Sequence, residues 1–473
     1  MDLRQKQIDA LGKMFNLNVE VAKGISDDSE DFKVLVLDRN TRDIISPLLK
    51  VNDLRKHGIT LHLMVDAERQ PIPDVPAVYF LEPSHDNVKK AIRDATGGLY
   101  DAFHFNFSGP LPRGLLELFA AEAVKADCLP KISKVFDQYL NFVTLDKGMF
   151  SLAQPKAYVQ LNDPTAKDTD VEAAVTSIVD GLFSVLVTMG VVPYIRCPRG
   201  GAAEMVASQL DKRLKDHLVT RNNLFTESGS GSFQRPLLVL FDRNFELAVT
   251  LQHQWTYQPL VHDVLGLNLN RVSVKTEGAP GTTSVKSYDL ESSDPFWVAN
   301  SMNQFPKVAE EVENGLQKYK ADIAEVNRKT ELGNEETDGL LSNTQNLVSA
   351  VNSLPELTER KRVIDKHTNI ATSLLSQIKT RALDVFYQEE EQMLTGGADK
   401  ATLMGLLNDP TKGTPTDKAR LAIVYLLSSE TTPPQADLEA IEAALRQQGA
   451  EVAAFSYVKR MRALNLTSGG GPG

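Results

Sequence analysis

The chain has 473 residues, of which 42% are apolar, so it can fill several hydrophobic cores and is expected to be a multidomain protein. Its net charge of −11 argues against nucleic acid or anionic lipid as the main ligand, because both select basic surfaces. Cys128 and Cys197 are too few for a disulfide framework, and no stretch predicts a signal peptide or a membrane span, so we expect a cytosolic protein.

The first 145 residues alternate short apolar runs with amphipathic stretches, which predicts a parallel sheet covered by helices. An N-terminal helix comes first. The predicted strands cover 32–37, 59–65, 77–81 and 102–107. The predicted helices cover 41–57, 85–95, 111–125 and 131–142. The last two helices follow each other directly, and we expect them to complete a first α/β domain near residue 145.

These two consecutive helices each carry an apolar face. Leu116, Phe119 and Ala120 fall at i, i+3 and i+4, and Ile132 and Val135 fall at i and i+3. Two such faces at a corner predict a groove that takes one aromatic anchor of a peptide, which contributes about 2 to 3 kcal/mol from buried area. Ordinary core packing explains the same spacing, and the spacing alone favours it.

A second set of alternating elements follows. Strands are predicted at 158–161, 191–196 and 236–241, and helices at 170–189 and 201–218. The run 237–241 is uninterrupted and apolar, which is typical of a strand buried on both faces.

Charged residues directly follow two of the predicted strands. Asp242 and Arg243 end the run 237–241, and Asp38 and Arg39 end the first strand in the same way. Because ligands of α/β folds bind at the carboxyl ends of strands, these pairs are candidates for catalysis. The alternative, which we favour, is that each pair closes the turn after its strand.

Two separated segments resemble a known family. LVLFDRNFELAVTLQHQWTYQPLVHDVLG, residues 238–266, resembles the central signature of the SM family, the Sec/Munc proteins that regulate SNARE-driven membrane fusion. DIISPLLKVNDLRKHGITLHL, residues 43–63, resembles the Sly-type branch of this family, which serves traffic between endoplasmic reticulum and Golgi. The similarity runs from about residue 5 to about residue 464.

The resemblance implies an α/β plus α fold, an arch of two parallel-sheet α/β domains and a mainly helical third domain. We place the domains at 1–145, 146–267 and 268–473. The polar, Gly/Ser/Thr-rich segment 268–293 is expected to be a linker or a surface excursion. SM proteins complete their second domain after the third, and that return is missing here, so we expect a truncated chain whose second sheet has an unpaired side.

Residues 300–391 are expected to form a helical hairpin. One apolar stripe comprises Val308, Val312, Leu316, Tyr319, Ile323 and Val326, and a second comprises Ile364, His367, Ile370, Leu374 and Ile378. The acidic segment 330–339 and Pro355, which is expected to start the second helix, are the predicted hinges. A plain antiparallel bundle, in which the stripes bury each other, is the alternative.

The resemblance also implies where partners bind. The N-terminal peptide of a Golgi or endoplasmic reticulum syntaxin, a Qa-SNARE, would occupy a pocket formed by Leu116, Phe119, Ala120, Ile132 and Val135. The hairpin would contact SNARE helices and assembled SNARE complexes, with candidate contacts and hinges at Val351, Leu354, Pro355, Val363, His367 and Ile370. Thr330, Gly333 and Gly339 mark a regulatory loop. His367 is more typical of a packed core histidine than of a switch.

No motif for metal, nucleotide or triad chemistry is found, so the sequence favours a protein that is not an enzyme and has no cofactor or metal site. The expected protein is cytoplasmic and recruited to endoplasmic reticulum and Golgi membranes through SNAREs, with tethering factors and small GTPases as further candidate partners. The alternative is a two-domain nucleotide-sugar-dependent transferase with Asp38, Arg39, Asp242 and Arg243 in its cleft.

Overall fold

The computed structural model describes residues 2–19, 32–219, 224–225, 235–277, 283–331, 340–397 and 399–467. The chain divides into two compact units, Met1–Arg243 and Asn244–Gly473. The three-domain division with boundaries near 145 and 267 stays a prediction.

The first unit contains a five-stranded parallel sheet of order β2-β1-β3-β4-β5. Its strands are β1 (Lys33–Leu37), β2 (Ile59–Met64), β3 (Ala77–Leu81), β4 (Phe103–Phe107) and β5 (Ile132–Asp137). Its helices are α1 (Leu3–Phe15), α2 (Arg39–Ile45), α3 (Val51–Lys56), α4 (His85–Thr96) and α5 (Arg113–Lys125). The predicted parallel sheet is confirmed, and β1, β3 and β4 are buried throughout, as expected of strands covered on both faces.

Two helix predictions in this unit are wrong. Residues 131–142 do not form a helix, because Ile132–Asp137 pairs with β4 as the edge strand β5. The β-branched residues Ile132 and Val135 suit a strand, and pairing with the sheet overrides their helical spacing. The predicted helix 41–57 is two helices, α2 and α3, since Pro47 has no N–H to continue the hydrogen bonding of α2.

The rest of the first unit adds a small hairpin, three helices and a second sheet. These elements are β6 (Val143–Asp146), β7 (Met149–Ser151), α6 (Ala157–Asn162), α7 (Asp168–Met189), β8 (Tyr194–Arg196), α8 (Ala202–Val219) and β9 (Leu237–Val239). The strand prediction at 158–161 is wrong: these residues belong to α6, whose Leu161 packs against the core shared by α7 and α8. A run of four apolar residues does not distinguish a strand from one helical turn.

Helix α7 has the length and apolar composition of a membrane span, contrary to the expectation that no stretch does. In the structure it packs against α8, with Val175, Phe183, Leu210 and Leu214 in a common core. Its apolar character therefore serves packing within the unit.

Strand β9 pairs in parallel with β8, but the prediction that it is buried on both faces is wrong. Leu238 and Leu240 pack against the α7–α8 core, whereas Leu237, Val239 and Phe241 are exposed. Alternate residues of a strand point to opposite faces, and here only one face of the two-stranded sheet is covered by described residues.

The second unit is mainly helical, as predicted. Its strands are β10 (Arg271–Glu277) and β11 (Thr283–Asp289), and its first helices are α9 (Leu247–Leu251), α10 (Tyr257–Leu260) and α11 (Pro295–Asn300). The others are α12 (Phe305–Glu331), α13 (Leu340–Arg381), α14 (Leu383–Leu394), α15 (Lys400–Asn408), α16 (Pro415–Ser428), α17 (Gln435–Gln447) and α18 (Ala453–Thr467).

The segment 268–293 is not a linker. It contains the antiparallel hairpin of β10 and β11, in which Val272 and Val274 are buried and Arg271 and Ser273 face outward. The polar outer face makes the segment resemble a linker in composition, although the alternation of period two is present.

The helical hairpin is present as α12 and α13, which pack against each other, but the two helices lie within 305–381 and do not extend over 300–391, because α13 ends at Arg381 and Ala382 adopts a left-handed conformation before α14. Pro355 does not start a helix or interrupt one, since α13 continues through it. An internal proline costs about 3 kcal/mol or more in a helix. Leu357 and Ile364 on the following turns are buried, and this packing offsets the cost.

A buried ionic cluster joins three parts of the second unit. His253 Nδ1 lies 2.8 Å from Glu390 Oε1, and its Nε2 lies 3.1 Å from Asp417 Oδ1. Arg381 donates from Nε and Nη2 to the two oxygens of Asp417, at 3.0 and 2.6 Å. Burial opposes a charge on His253, but the hydrogen bonds to Asp417 and Glu390 outweigh it and raise the pKa of the imidazole. Burial alone would raise the pKa of the Asp417 carboxyl. The hydrogen bonds from His253 and Arg381 outweigh this effect and hold the pKa well below the usual range.

Candidate functional site

Helix α5 and the edge strand β5 carry the predicted pocket residues. The register of β4 and β5 pairs Phe103 with Ile132 and Phe105 with Val135, with an irregularity between Ile132 and Lys134. Paired residues of neighbouring strands point to the same face, and Phe103 and Phe105 belong to the core that α5 covers. The extra residue therefore turns both Ile132 and Val135 toward α5, where a regular strand would send them to opposite faces.

Four of the predicted pocket residues on these two elements keep accessible area, and we call them the α5–β5 surface: Leu116, Ala120, Ile132 and Val135. Leu116 is 47% exposed and Val135 is 37% exposed. Ala120 is exposed and small, so it leaves room between larger neighbours, and Ile132 is half-buried against the core. Leu116, Ala120 and Val135 are therefore accessible to a ligand and Ile132 is partly accessible, while their assembly into one pocket stays a prediction.

Phe119, the fifth predicted pocket residue, is buried and is not accessible to a ligand. Its ring packs edge-to-face on the rings of Phe105 and Phe107, with ring centroids 5.3 and 6.5 Å apart, respectively. Its bulk is thus directed into the core, and it supports the α5–β5 surface from below.

Asp137 connects the end of β5 to the start of α5. It pairs with Phe107 in the sheet, and its Oδ1 accepts a hydrogen bond from the Leu111 N–H, at 3.0 Å, just before α5. Burial raises the pKa of this carboxyl, and the hydrogen bond from Leu111 opposes the shift. The start of α5 is therefore fixed to the end of β5.

We expect Phe119→Ala to lower the free energy of unfolding by about 3 to 5 kcal/mol, because it removes a buried ring and leaves a cavity. Urea unfolding measures the loss. Val124→Ala on the same helix is the matched control, since Val124 is exposed, and it should stay within about 0.5 kcal/mol of the wild type. Equal stability of the two variants would contradict the supporting role of Phe119.

The predicted hairpin residues are not all on the surface. Pro355 is exposed and Val363 is half-buried, whereas His367 and Ile370 are fully buried and so are not available to a partner helix. The side chains of Val351, Leu354 and Thr330, together with Gly333 and Gly339, lie outside the described residues.

His367 lies in a polar cluster that the sequence analysis did not find. Its Nδ1 is 2.9 Å from the Tyr257 hydroxyl and its Nε2 is 3.0 Å from Asp294 Oδ2, which also accepts from Lys366 Nζ at 2.5 Å. Burial lowers the pKa of His367, against the effect of Asp294. Burial would raise the pKa of Asp294, but the bonds from His367 and Lys366 hold it well below the usual range. The one local signal was Asp294 before Pro295, which is typical of a helix N-cap.

The strand-end charges favour the turn-closing interpretation. Asp38 is buried and caps α2, accepting from the Thr41 N–H at 2.8 Å, and its second oxygen accepts from the Glu82 N–H and from Asn87 Nδ2. Arg39 and Arg243 are exposed, Asp242 is half-buried, and Arg243 begins a 3-10 turn. Among the described residues, no group of three or more His, Cys, Asp or Glu side chains is placed to hold a metal ion.

The chain is similar to a set of named proteins along nearly its whole length. The profile of the Sec1 family matches residues 33–471. The SEC1 family transport protein SLY1 of Arabidopsis thaliana is 53% identical over 99% of this chain and 75% of its own length. The human Sec1 family domain-containing protein 1 is 45% identical over 98% of this chain and 75% of its own length. Protein sly1 of Schizosaccharomyces pombe is 41% identical over 97% of this chain and 72% of its own length.

Two solved structures have similar folds. Sly1p, crystallised in complex with an N-terminal peptide of Sed5p, aligns with a TM-score of 0.77 at 34% identity, over 98% of this chain and 74% of that one. The SM protein Vps45 in complex with the Qa SNARE Tlg2 aligns with a TM-score of 0.75 at 21% identity, over 97% and 75%. At that identity the second likeness shows the fold alone.

Proposed function

The chain belongs to the Sec1 family, and from that premise we propose that it regulates SNARE-driven fusion between endoplasmic reticulum and Golgi by binding a Qa-SNARE. The N-terminal peptide of this Qa-SNARE binds the α5–β5 surface, and the hairpin of α12 and α13 contacts SNARE helices. The observation that carries the proposal is the exposed apolar surface of Leu116, Ala120, Ile132 and Val135.

The relatives support the kind of partner. Sly1p, which is 34% identical, was crystallised with an N-terminal peptide of Sed5p. An apolar surface built around a small alanine suits one aromatic or aliphatic anchor of such a peptide, worth about 2 to 3 kcal/mol. The remaining affinity comes from the main chain and flanking residues of the peptide.

The proposed mechanism requires no covalent step. Holding a syntaxin by its N-terminus while a SNARE helix lies on the hairpin makes the second encounter intramolecular, with an effective concentration in the mM range. Coiled coils are costly to nucleate, so this local concentration favours assembly. We therefore propose a regulator that is not an enzyme and that acts on the cytoplasmic side of the membrane.

The transferase alternative is not supported. The relatives are transport and Sec1 family proteins, and Asp38, which was to line the sugar-nucleotide cleft, is a buried helix cap. Arg39 and Arg243 are exposed, and Arg243 begins a 3-10 turn.

Fluorescence anisotropy with labelled N-terminal peptides of Qa-SNAREs from several organelles tests the proposal. We expect the peptide from the endoplasmic reticulum–Golgi syntaxin to bind and a scrambled peptide not to bind. The absence of binding by all the peptides would overturn the proposed function, whatever the fold.

Deleting residues 330–339, the predicted regulatory loop, is expected to raise the affinity for SNARE complexes. Thr330 and Glu331 end α12 and the rest of the segment lies outside the described residues; its acidic composition is what supports a competition with SNAREs for the hairpin. Biolayer interferometry with assembled SNARE complexes measures the effect, and replacing the loop by a Gly/Ser linker of equal length is the control for chain connectivity. Unchanged or weaker binding would count against a covering role.

A further inference from the structure

Four buried side chains meet where helix α13 enters the body of the second unit. We call them the latch: Tyr257, Asp294, Lys366 and His367. Lys366 and His367 are successive residues of α13, and both contact the same oxygen, Oδ2 of Asp294. The other oxygen of Asp294 accepts from the Trp297 N–H at 3.0 Å and so caps α11. One carboxylate therefore connects α13 to the start of α11.

The hydrogen-bond pattern fits a neutral imidazole. The Tyr257 hydroxyl donates to Nδ1 of His367, and the Nε2–H of His367 donates to Asp294. Lys366 Nζ also donates to the Asp289 carbonyl at 3.1 Å, and Asn369 donates to the Tyr288 hydroxyl at 2.7 Å, so the end of β11 takes part. The latch joins α13 to three separate segments of the chain.

The latch lies at the point along α13 where the helix stops packing on α12 and begins to pack in the core of the second unit. On the tip side, Arg360 pairs with Asp322 of α12, and Ile364 lies beside Gly315 of α12, where an added Cβ would be 3.7 Å from it. On the body side, Ile370 and Leu374 are fully buried with Tyr257 and Trp297. Lys366 and His367 are thus the transition between the hairpin proper and the core.

We propose that Asp294 is a positioning residue that sets the direction in which the hairpin leaves the body of the second unit. Its carboxylate links α13 to α11 through the side chains of Lys366 and His367, so the hairpin is held in one orientation for a partner helix. Without this link the helix stays folded but bends at this point. The consequence for SNARE binding depends on the proposed function, whereas the orientation itself does not.

Asp294→Asn separates positioning from simple stability. The amide oxygen can still cap α11, but it leaves the buried ammonium of Lys366 without its carboxylate, which is costly. The double variant Asp294→Asn with Lys366→Met removes that unpaired charge and restores stability, but it replaces the ionic link between α13 and α11 by a single neutral hydrogen bond from the amide to His367. Asp322→Asn, which removes an exposed ion pair within the hairpin, is the matched control.

The readout is a distance within the second unit. Spin labels at positions 318 of α12 and 430 after α16, both exposed, are introduced through an unnatural keto amino acid, so that Cys128 and Cys197 stay unlabelled. We expect a narrow distance distribution for the wild type and for Asp322→Asn, and a broad or shifted one for Asp294→Asn and for the double variant. Unchanged distributions in both Asp294 variants would overturn the proposal.

Binding of an isolated SNARE helix is measured on the same variants. We expect the Kd to rise about tenfold in the double variant, with the affinity of the N-terminal peptide for the α5–β5 surface unchanged. If wild-type protein binds no SNARE helix, the proposed function of the hairpin fails, and the distance measurement still decides the role of Asp294. If the distances change and the Kd does not, the positioning role in binding is wrong.

Discussion

Leu116→Arg is expected to abolish binding of the Qa-SNARE N-terminal peptide while the free energy of unfolding stays within about 0.5 kcal/mol of the wild type. Leu116 is half exposed, so the arginine side chain reaches solvent and the fold tolerates it. A bound anchor, however, would have to share its apolar site with a charge. Burying that unpaired charge costs about 2 to 5 kcal/mol, which equals or exceeds the ~2 to 3 kcal/mol that the anchor contributes. Anisotropy titration and urea unfolding measure the two quantities.

Leu61→Arg is the matched control for this variant. Leu61 is 39% exposed and lies on β2, the opposite edge of the same sheet, so it carries the same change without touching the α5–β5 surface. Val135→Asp should behave as Leu116→Arg does. Ile132→Asp is less informative, because Ile132 packs against the core and its loss also destabilises the unit. Wild-type peptide affinity in both Leu116→Arg and Val135→Asp would show that the peptide binds elsewhere.

Asp417→Asn is expected to lower the stability of the second unit by about 3 to 5 kcal/mol, since it removes one partner from a buried ionic cluster. Arg381 and His253 would keep their positions but lose the carboxylate that both contact. Urea unfolding at neutral pH measures the loss. Asp399→Asn is the control, because Asp399 is an exposed N-cap and asparagine caps equally well.

The same cluster gives the second unit a pH dependence. The pKa of His253 is raised in the folded state, so its contribution is complete below the unfolded value of about 6.5 and is lost as the pH rises through the folded pKa. The pKa of Asp417 is lowered, so its contribution is complete above about 3.9 and is lost as the pH falls through the folded pKa. His253→Gln should remove the alkaline part of this profile. An identical loss of stability above pH 6.5 in wild type and variant would contradict the assignment to His253.

The alternation of strands and helices in the first unit could be predicted from the sequence because buried parallel strands are continuous apolar runs. The nature of β5 could not, since residues at i and i+3 share a face both in a helix and across a bulge. The two interpretations place Ile132 and Val135 on one surface, so the predicted set of pocket residues does not depend on the error. Phe119 of α5 is buried because it packs on Phe105 of β4, and the spacing of residues within α5 does not indicate that contact.

In the second unit, the apolar stripes predicted the hairpin helices but not which parts of them are covered. His367 and Ile370 share the stripe with Ile364, yet their neighbours come from residues 257–305 and are not visible in the spacing. His253 is likewise far in sequence from Glu390 and Asp417, and nothing local indicates their contact. Side chains that are paired over such separations are found only once the fold is known.

The irregular register of β5 has a consequence for how this protein can change over evolution. Ser133 has no partner on β4 and is exposed, so many side chains should be acceptable there. Losing Ser133 would make Ile132 and Val135 residues i and i+2 of a regular strand, and these also share a face, so Val135 would stay opposite Phe105. The face that these two side chains share therefore survives both the substitution and the loss of Ser133, and we expect related chains to differ at this position in residue type and in the presence of the extra residue.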